Sequence, residues 1–315
     1  MGDQVMLLSI IILNWNGGQV LIDCLESIYA RSHRFAFEVI VVDNASTDGS
    51  PDRVATEFPQ VRLLRNKRNL GFAGGNNRGL EVAQGRCLLL LNNDTIVLND
   101  ALEVMLDEME AHPEVGILGC RLLNPDASLQ RSCGIFPNLL TEFLDQTMLH
   151  RLFPLYKMGH RTYDAPREVD WVTGACMLVR REVYEQVGGL DEGFHMFLED
   201  VDWCMRVRRA GWQVRYTPAA RIIHLKGYSS QSVLPHMLVE DQRSAYRFFR
   251  KHYGPLRVWA MYPIVTLGCL VRGLFWAVRW LLGQRKEAAG RLWAYGEILR
   301  RTWVDRSFVR GRIEK

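Results

Sequence analysis

Two carboxylates stand where predicted buried strands end, and both could act on a phosphorylated ligand. Asp94 follows four consecutive leucines in residues 86–98, and Asp43 follows the apolar residues 37–42. A short apolar run with polar flanks is typical of a strand buried on both faces, and ligands of open α/β sheets collect at the carboxyl ends of such strands. Asp94 could therefore hold Mg²⁺ or Mn²⁺ against a diphosphate, and Asp43 could accept hydrogen bonds from a nucleotide base or ribose. Locally, both residues are also compatible with ordinary turns or an N-cap.

Three further segments carry residue types suited to chemistry. Residues 70–77 (LGFAGGNN) are glycine-rich and open a predicted helix, a pattern by which backbone N–H groups approach phosphate or sugar; they match neither the Walker nor the dinucleotide fingerprint. Three acids in residues 199–202 lie at a predicted helix start, where one can serve as a general base, although the helix dipole also favours acids there. His224 follows an apolar pair and is either structural or a metal ligand through a neutral nitrogen.

Strands and helices alternate around these segments. The helices are predicted at residues 20–30, 51–58, 76–83 and 101–111, and the strands at 6–13, 37–42, 61–65, 86–91 and 115–122. Residues 66–75 are predicted as a loop, 124–167 as a substrate-facing insertion, 170–179 as a strand, and 212–216 as a strand closed by a turn at Pro218. This alternation predicts an α/β protein with a parallel sheet and helices on both faces.

Length and composition describe an ordinary globular protein. The 315 residues suffice for one large domain or two smaller ones, and 48% hydrophobic with 23% charged residues exclude a disordered or collagen-like chain. Seven cysteines without a C-x-x-C pair favour reduced, buried thiols of a cytosolic protein over a disulfide framework or a zinc site. The N-terminal residues lack the basic region and cleavage site that are typical of a signal peptide.

Taken in order, the motifs resemble those of the family 2 glycosyltransferases of the GT-A fold, and most of all the rhamnosyltransferase-like branch. The resemblance runs over about three quarters of the chain. Its segments are Ser9, NWN at 14–16, VDNAS at 42–46, NLGFAGGN at 69–76, LNND at 91–94, TGA at 173–175, GLDE at 189–192, EDVD at 199–202, GW at 211–212 and residues 224–230. It implies an α/β GT-A fold, with a mostly parallel central sheet flanked by helices and a C-terminal helical extension.

The resemblance implies a role for each matching residue. Asp200 matches the general base, with Glu199 and Asp202 in support, and Asp94 and His224 match the metal ligands. Asn92 stands where the family's D-x-D-type triplet begins with Asp, so one carboxylate fewer faces the metal. The residues implied in nucleotide-sugar binding are Asn14, Asn16, Asp43, Gly71, Gly74, Asn76, Asn92, Asn93, Gly174 and Ala175, and those on the acceptor side are Asp170 and Trp171.

The activity implied is that of an inverting hexosyltransferase that depends on Mg²⁺ or Mn²⁺. It would move one sugar, with rhamnose from dTDP-rhamnose favoured, to a hydroxyl of a lipid-linked or polysaccharide acceptor in bacterial surface glycan synthesis. UDP-galactofuranose or UDP-GlcNAc as donor, and a non-catalytic nucleotide-sugar-binding homologue, are the alternatives. The sequence lacks the Gln-x-x-Arg-Trp motif of processive members, which favours one sugar per encounter.

We predict a catalytic domain over residues 1–242, followed by a helical extension over residues 243–315. The catalytic domain would comprise a nucleotide-binding half, about residues 1–122, and an acceptor-binding half, about residues 123–242. The extension carries 16 Lys+Arg against 4 Asp+Glu, a net charge of +12, which leaves −8 for the first 242 residues. A basic, tryptophan-bearing tail on an acidic body predicts contact with an anionic surface.

The extension is predicted to lie on a membrane. Residues 258–271 are uncharged, but Pro263 and Arg272 interrupt any span of about 20 residues. We therefore predict an interfacial helix pair with arginines facing anionic lipid and Trp259, Trp276, Trp280 and Trp293 at headgroup level. A soluble helical cap or a dimer interface is the alternative.

The partners and the location follow from that prediction. A peripheral protein on the cytoplasmic face of the plasma membrane would meet a polyprenyl-linked acceptor there. Nucleic acid is disfavoured as a partner, because the basic tail is interleaved with long aliphatic runs. Assembly into a homo-oligomer is left open.

Overall fold

The computed structural model describes residues 7–151, 163–225 and 234–311. Met6 of the first predicted strand and residues 226–230 of the family resemblance lie outside these described residues. So does part of the predicted insertion at residues 124–167.

The described chain alternates strands and helices through its first half and is helical at its C-terminal end. The strands are β1 Leu8–Asn14, β2 Phe37–Asp43, β3 Arg62–Arg65, β4 Cys87–Asn92, β5 Thr95–Val97, β6 Val115–Leu123, β7 Leu129–Gln130, β8 Cys133–Gly134, β9 Arg167–Glu168, β10 Trp171–Val172, β11 Cys176–Arg180 and β12 Gln213–His224. The helices are α1 Gly18–Tyr29, α2 Ser50–Glu57, α3 Gly71–Val82, α4 Ala101–Ala111, α5 Leu139–Gln146, α6 Arg181–Val187, α7 Glu199–Arg209, α8 Leu234–Tyr253, α9 Pro255–Leu281, α10 Arg285–Val304 and α11 Arg306–Val309. A 3-10 helix covers Leu149–Arg151.

One large sheet carries the functional edge. Its strand order is β3-β2-β1-β4-β11-β6-β12-β5, with β7 beside β6 and β9 beside β12. The strands β3, β2, β1, β4, β6 and β12 all run in one direction, whereas β11 is antiparallel to both of its neighbours. The prediction of a mostly parallel α/β sheet is therefore confirmed, with β11 reversed inside it and the short strands β5, β7 and β9 antiparallel to their partners.

The first strands are buried on both faces, as their continuous apolar sequences predict. Ile10, Ile11, Leu88 and Leu89 are all 0% exposed. Apolar residues of α1 and α4 form one cluster with β1, β2 and β4. Burial of each such side chain stabilises the fold by about 1.5–3 kcal/mol, so this cluster fixes the register of the strands that end at the polar residues.

Three local predictions were wrong. Helix α3 begins at Gly71, not at Asn76, so most of the glycine-rich segment is helical. Thr173, Gly174 and Ala175 form a turn between β10 and β11 and do not continue a strand. β12 runs through Pro218 to His224, because a register irregularity between Thr217 and Arg221 takes up the proline, which cannot donate a ladder hydrogen bond.

The chain forms two compact units. The first comprises residues 1–135, 160–191 and 200–229, and it contains the large sheet. The second comprises residues 136–159, 192–199 and 230–315; in it α5 and α8–α11 pack around buried aromatic side chains such as Tyr246, Phe248 and Phe308. The predicted helical C-terminal extension is thereby confirmed, whereas the boundary between residues 242 and 243 stays a prediction.

Candidate active site

The polar residues after β1, β2 and β4 meet at one edge of the sheet, as predicted. Asn14 is paired in register with Asp43, and Leu13 is paired with Asn92. Because these strands are parallel, their carboxyl ends lie side by side. We call Asn14, Asp43 and residues 92–94 the strand-end cluster.

Asn14 is the hub of this cluster. It is 0% exposed, and its Nδ2 donates to Oδ1 of Asp43 at 3.1 Å and to the Oγ atoms of Ser50 and Ser46 at 2.9 and 3.2 Å. Its Oδ1 accepts from Nδ2 of Asn93 at 3.0 Å and from the Gly17 backbone N–H. A buried amide with all these partners is fixed in position, so Asn14 holds the ends of three strands together.

Asp43 has a second carboxylate oxygen, Oδ2, that is not bonded to Asn14. This Oδ2 accepts the Ser46 backbone N–H at 3.2 Å, as in the turn that the sequence left as the alternative. Asn16 lies in the adjacent turn with a left-handed φ of 52°, and its Oδ1 accepts from the Thr47 backbone N–H at 2.8 Å. The side chains of Asn16 and Trp15 are exposed beside the cluster.

Asp94 and His224 are brought together by pairing of β5 with β12, in which Thr95 lies opposite His224. The Asp94 Oδ1 and the His224 Nε2 are 3.2 Å apart, and the Asn92 Nδ2 is 3.3 Å from the same nitrogen. The His224 Nδ1 lies 3.0 Å from Oε1 of Gln130, whose Nε2 donates to the His224 and Asn124 oxygens. Because this Oε1 can only accept, Nδ1 carries the proton of the neutral ring, and the Nε2 lone pair faces Asp94 and Asn92.

This pair fits a divalent cation. The Asp94 carboxylate oxygen and the His224 Nε2, 3.2 Å apart, are an oxygen and an imidazole nitrogen of the kinds that bind Mg²⁺ and Mn²⁺ in proteins. Mg²⁺ and Mn²⁺ are commonly held by one or two protein groups, with water and substrate phosphates completing the shell. Gln130 accepts a hydrogen bond from His224 Nδ1, the kind of contact that fixes the orientation of a metal-binding histidine. No group of three or more His, Cys, Asp or Glu side chains suited to a metal occurs among the described residues.

The glycine-rich segment is positioned by Asn44. Its Nδ2 donates to Oδ1 of Asn69 and to the carbonyl of Gly71, and its Oδ1 accepts from Asn66 Nδ2 at 2.9 Å. Gly71 begins α3 with a φ of 75°, which suits glycine. Gly74 and Asn76 are buried within α3, and the Asn76 side chain donates to the Phe72 carbonyl of its own helix.

Gly174 and Ala175 join the glycine-rich segment to the candidate base. The Ala175 carbonyl accepts from the Asn92 backbone N–H at 3.0 Å, which sets the turn beside the strand-end cluster. A Cβ on Gly174 would lie 3.1 Å from the Phe72 ring and 3.6 Å from the Asp200 Cβ. Of the two residues predicted to line the donor sugar, Ala175 therefore lies beside the strand-end cluster, and Gly174 lies against Phe72 of α3 and against Asp200.

Asp200 is held by backbone donors at the start of α7. Its Oδ2 accepts from the Gly174 N–H at 2.9 Å and its Oδ1 from the Val201 N–H at 2.8 Å. Burial raises the pKa of the Asp200 carboxyl above its usual range, although these backbone hydrogen bonds act in the opposite direction. A carboxylate with a raised pKa and a fixed orientation is suited to take a proton.

The two neighbouring acids have different surroundings. Asp202 is 0% exposed, and its Oδ2 accepts from the Arg206 Nε at 2.9 Å. The same guanidinium donates to the Val187 and Gly189 carbonyls, so this ion pair ties α7 to the end of α6. Glu199 is buried at the first position of α7.

The predicted acceptor-side residues lie on and beside β10. Asp170 accepts from Arg208 Nη1 at 2.7 Å, and Arg208 also pairs with Glu168 of β9. The Trp171 Nε1 donates to the Ile135 carbonyl at 2.8 Å, and the Arg131 guanidinium lies 5.3 Å from the centre of its ring. Asp170 therefore has a structural partner in Arg208, while the Trp171 side chain is half-buried.

Sequence reasoning missed several residues that organise this site. Gln130 fixes His224 although 94 positions separate them, and no motif marks it. Asn44 and Ser46 belong to the quoted VDNAS segment, so their turn-forming types gave a usable signal. Phe72 belongs to the glycine-rich segment and contacts the Gly174 position.

Comparison with solved structures defines the class of fold. The chain superposes on the mannosyltransferase PcManGT from Pyrobaculum calidifontis, solved with GDP-Man and Mn²⁺, with a TM-score of 0.59 and 16% identity over 95% of this chain and 87% of that chain. At that identity the likeness shows the fold only. The fold is GT-A: a mostly parallel central sheet flanked by helices, with a helical C-terminal region.

Sequence comparison gives the family. Residues 9–188 match the model described as Glycosyl transferase family 2. The N-acetylglucosaminyl-diphospho-decaprenol L-rhamnosyltransferase of Mycobacterium tuberculosis is 31% identical over 79% of this chain and 88% of that protein. The low-salt glycan biosynthesis hexosyltransferase Agl10 of Haloferax volcanii is 28% identical over 70% of this chain and 68% of its own length. The chain belongs to Glycosyl transferase family 2, and it is a hexosyltransferase.

Proposed function

We propose that the protein is an inverting, metal-dependent glycosyltransferase that moves one sugar from a nucleotide-sugar to an acceptor hydroxyl in bacterial surface glycan synthesis. The observation that carries the proposal is the combination of a cation-compatible Asp94–His224 pair with a backbone-held Asp200 of raised pKa. The Asp94–His224 pair could hold a cation that offsets the charge of the leaving diphosphate, and Asp200 can accept the proton of the acceptor hydroxyl. The metal-dependent, inverting transfer proposed here uses both.

The chain's own residues divide the chemistry as follows. Asp200 takes the proton of the acceptor hydroxyl while its oxygen forms the new bond to the anomeric carbon. The bond from that carbon to the diphosphate breaks on the opposite side, and the nucleoside diphosphate leaves with the electron pair. A single base requires no covalent sugar intermediate, so the configuration inverts.

Donor binding is assigned to the strand-end cluster and its neighbours. Asp43 and Asn14 hold the base and ribose, with Asn16, Asn92 and Asn93 beside them. The remaining donor contacts are assigned to Gly71, Gly74, Asn76, Gly174 and Ala175. Asp94 and His224 would hold the Mg²⁺ or Mn²⁺, whose charge would offset that of the leaving diphosphate.

Rhamnose from dTDP-rhamnose is the donor we favour, because the Mycobacterium tuberculosis relative is named as an L-rhamnosyltransferase. The same relative is named for a diphospho-decaprenol acceptor, which supports a polyprenyl-linked acceptor here. UDP-galactofuranose and UDP-GlcNAc are the alternative donors. A non-catalytic nucleotide-sugar-binding protein is the second candidate function, and the pairing of Asp202 and Asp170 with arginines is compatible with it.

A polyprenyl-linked acceptor would be met at a membrane. We propose peripheral attachment to the cytoplasmic face of the plasma membrane, with Asp170 and Trp171 toward the acceptor. The strongly basic residues 243–315 support this location.

Calorimetric titration of the full chain with dTDP-rhamnose, UDP-galactofuranose, UDP-GlcNAc and GDP-mannose, each with Mn²⁺, Mg²⁺ or EDTA, tests the proposal. We expect one donor to bind only with metal, and we expect Asp94→Ala to abolish that binding. Asp107→Ala, which removes an exposed carboxylate of α4, is the matched control and should bind as the wild type does. Failure of all four donors to bind folded protein would overturn the enzyme assignment.

A further inference from the structure

Helix α9 carries a continuous apolar stripe on its exposed face. Leu256, Trp259, Leu267, Leu270, Leu274, Val278 and Leu281 are between 43% and 82% exposed. Together with the exposed Pro263 they recur every three or four residues. At 100° per residue they fall within an arc of about 100°, and they extend over about 38 Å of the helix. An exposed apolar patch of this length marks an interaction surface.

The opposite face of α9 is packed inside the second unit. Val258, Met261, Val265, Cys269 and Trp276 are each less than 9% exposed, and α9 contacts α5, α8 and α10. A Cβ on Gly268 would lie 2.6 Å from the Gln146 side chain, which shows how closely α9 approaches α5. The predicted headgroup position of Trp276 is therefore wrong.

Arg272 lies in the middle of this buried arc. Its Nη2 donates to the Asp145 carbonyl at 2.6 Å and to the Asp145 Oδ2 at 3.0 Å, and its Nε donates to the Gln146 carbonyl at 3.1 Å. The guanidinium thus closes the C-terminal end of α5, where carbonyls lack helical partners. Arg272 is therefore not among the arginines that can face anionic lipid, and its charge does not interrupt the stripe.

We infer that the stripe on α9 is the face by which the protein docks on an anionic lipid surface, with α9 lying in the plane of the interface and not crossing the bilayer. The inference gives a surface and an orientation to the membrane attachment proposed above, on which it rests. It concerns binding to lipid and does not depend on which sugar is transferred.

The packing of α9 argues against crossing. By length and composition α9 is long and apolar enough to span a membrane. A spanning helix, however, would take the Arg272–Asp145 ion pair and the Gln146–Gln242 hydrogen bond into the hydrocarbon, where such groups are costly. Lying flat, α9 keeps these contacts and buries only the stripe.

The surrounding charge favours lipid over a second copy of the chain. Among residues 250–311, eight exposed side chains are basic and Glu287 is the one exposed acid; the basic ones are Arg250, Lys251, Arg257, Arg285, Lys286, Arg300, Arg306 and Arg310. Anionic headgroups attract such a surface, whereas an identical partner would repel it. Trp280, Trp293 and Trp303 are also exposed, as is typical of an interfacial region.

Co-sedimentation of the full chain with phosphatidylcholine vesicles, with and without 30% phosphatidylglycerol, tests the inference. We expect the wild type to bind the anionic vesicles and to be released by alkaline carbonate. The double variant Leu267→Glu/Leu274→Glu should bind at least tenfold more weakly. Leu140→Glu, at a 65% exposed leucine of α5, is the matched control and should bind as the wild type does.

The outcomes separate this inference from the proposed function. Equal vesicle binding by the stripe variant would overturn the docking face while leaving attachment intact, and resistance of the wild type to carbonate would overturn the in-plane orientation. A lipid-free wild-type dimer that the stripe variant converts to monomer, seen by analytical ultracentrifugation, would make a second copy the occupant. Metal-dependent donor binding, measured on the same variants, should be unchanged; its absence in the wild type would count against the enzyme proposal alone.

Discussion

The strand-end cluster joins residues that are far apart in sequence, whereas the start of α7 separates residues that are adjacent. Asn14 and Asn93 are 79 positions apart and hydrogen-bonded at 3.0 Å. Asp200 and Asp202 are two positions apart, yet one accepts from the β10–β11 turn and the other from Arg206. Parallel strands bring their ends together at one edge, while residues i and i+2 of a helix point about 200° apart. An acid-rich segment on a helix is therefore weaker evidence of a shared site than acids at strand ends.

The sharpest test of this contrast is Asp200→Asn. If Asp200 is the base, kcat should fall by about 10³-fold, because the amide cannot accept the acceptor's proton. Donor affinity should change little, since Asp200 is assigned no role in donor binding. Steady-state kinetics with calorimetric donor titration measures both, and an unchanged kcat would favour the non-catalytic homologue.

The same residue should set the acidic limb of the pH profile. Because burial raises the Asp200 pKa, the carboxylate is protonated at higher pH than an exposed aspartate. We expect kcat to be full above that pKa and to fall by about tenfold per pH unit below it. A kcat profile without an acidic limb down to pH 4, in protein that remains folded, would contradict the assignment.

Asp202→Asn should affect stability and not chemistry. It removes the counter-charge of Arg206 by neutralising a fully buried carboxylate, and since the guanidinium is 20% exposed and keeps two carbonyl partners, the change should cost about 2 kcal/mol. Urea unfolding should show this loss, while kcat of the folded enzyme stays within a few-fold of wild type. A large loss of kcat with normal stability would instead show that Asp202 supports the base Asp200, as the family resemblance implied.

Gln130→Ala tests whether a residue without a motif supports the metal pair. Without the Oε1 contact the His224 ring loses its fixed orientation, and Mn²⁺ affinity should fall by tenfold to a hundredfold. Gln186→Ala, which truncates an exposed glutamine of α6, is the matched control and should keep the wild-type affinity. Equal Mn²⁺ affinity of Gln130→Ala and wild type, measured by calorimetry with donor present, would remove Gln130 from the site.

The contrast between the strand-end cluster and the start of α7 also explains which parts of the structure the sequence could predict. Continuous apolar runs locate β1, β2 and β4, and the parallel rule then brings Asn14, Asp43 and residues 92–94 together without further information. The start of α3 was missed because glycine is a poor helix former, and tertiary contacts from Asn44 hold the preceding turn. The side of α9 on which Arg272 lies depends on α5, which is more than 120 residues away. Long-range partners of this kind leave no local pattern.

The smallest effect we predict comes from a single methyl group in the strand-end cluster. Gly17 has an ordinary helical φ of −78°, so alanine fits its backbone. Its Cβ, however, would lie 2.4 Å from Oδ1 of Asn14 and 2.5 Å from Nδ2 of Asn93, between two atoms that are hydrogen-bonded. Loss of that bond should lower the free energy of unfolding by about 1 kcal/mol. It should also weaken donor binding by about fivefold, because Asn14 and Asn93 lose their fixed orientation.

Gly49→Ala is the matched control for Gly17→Ala. At Gly17 the backbone angle suits alanine but the space is filled, whereas at Gly49 the space is open but the backbone angle is unfavourable. Gly49 has a left-handed φ of 79°, and a Cβ there would meet nothing within 4 Å. Alanine at this position should therefore lower the free energy of unfolding by about 1 kcal/mol through backbone strain and leave donor affinity unchanged. Calorimetric donor titration and urea unfolding of both variants decide the matter. If Gly17→Ala bound donor as wild type does, the Asn14–Asn93 bond would serve only to hold β1 and β4 together, and Asn93 would be withdrawn from the donor site.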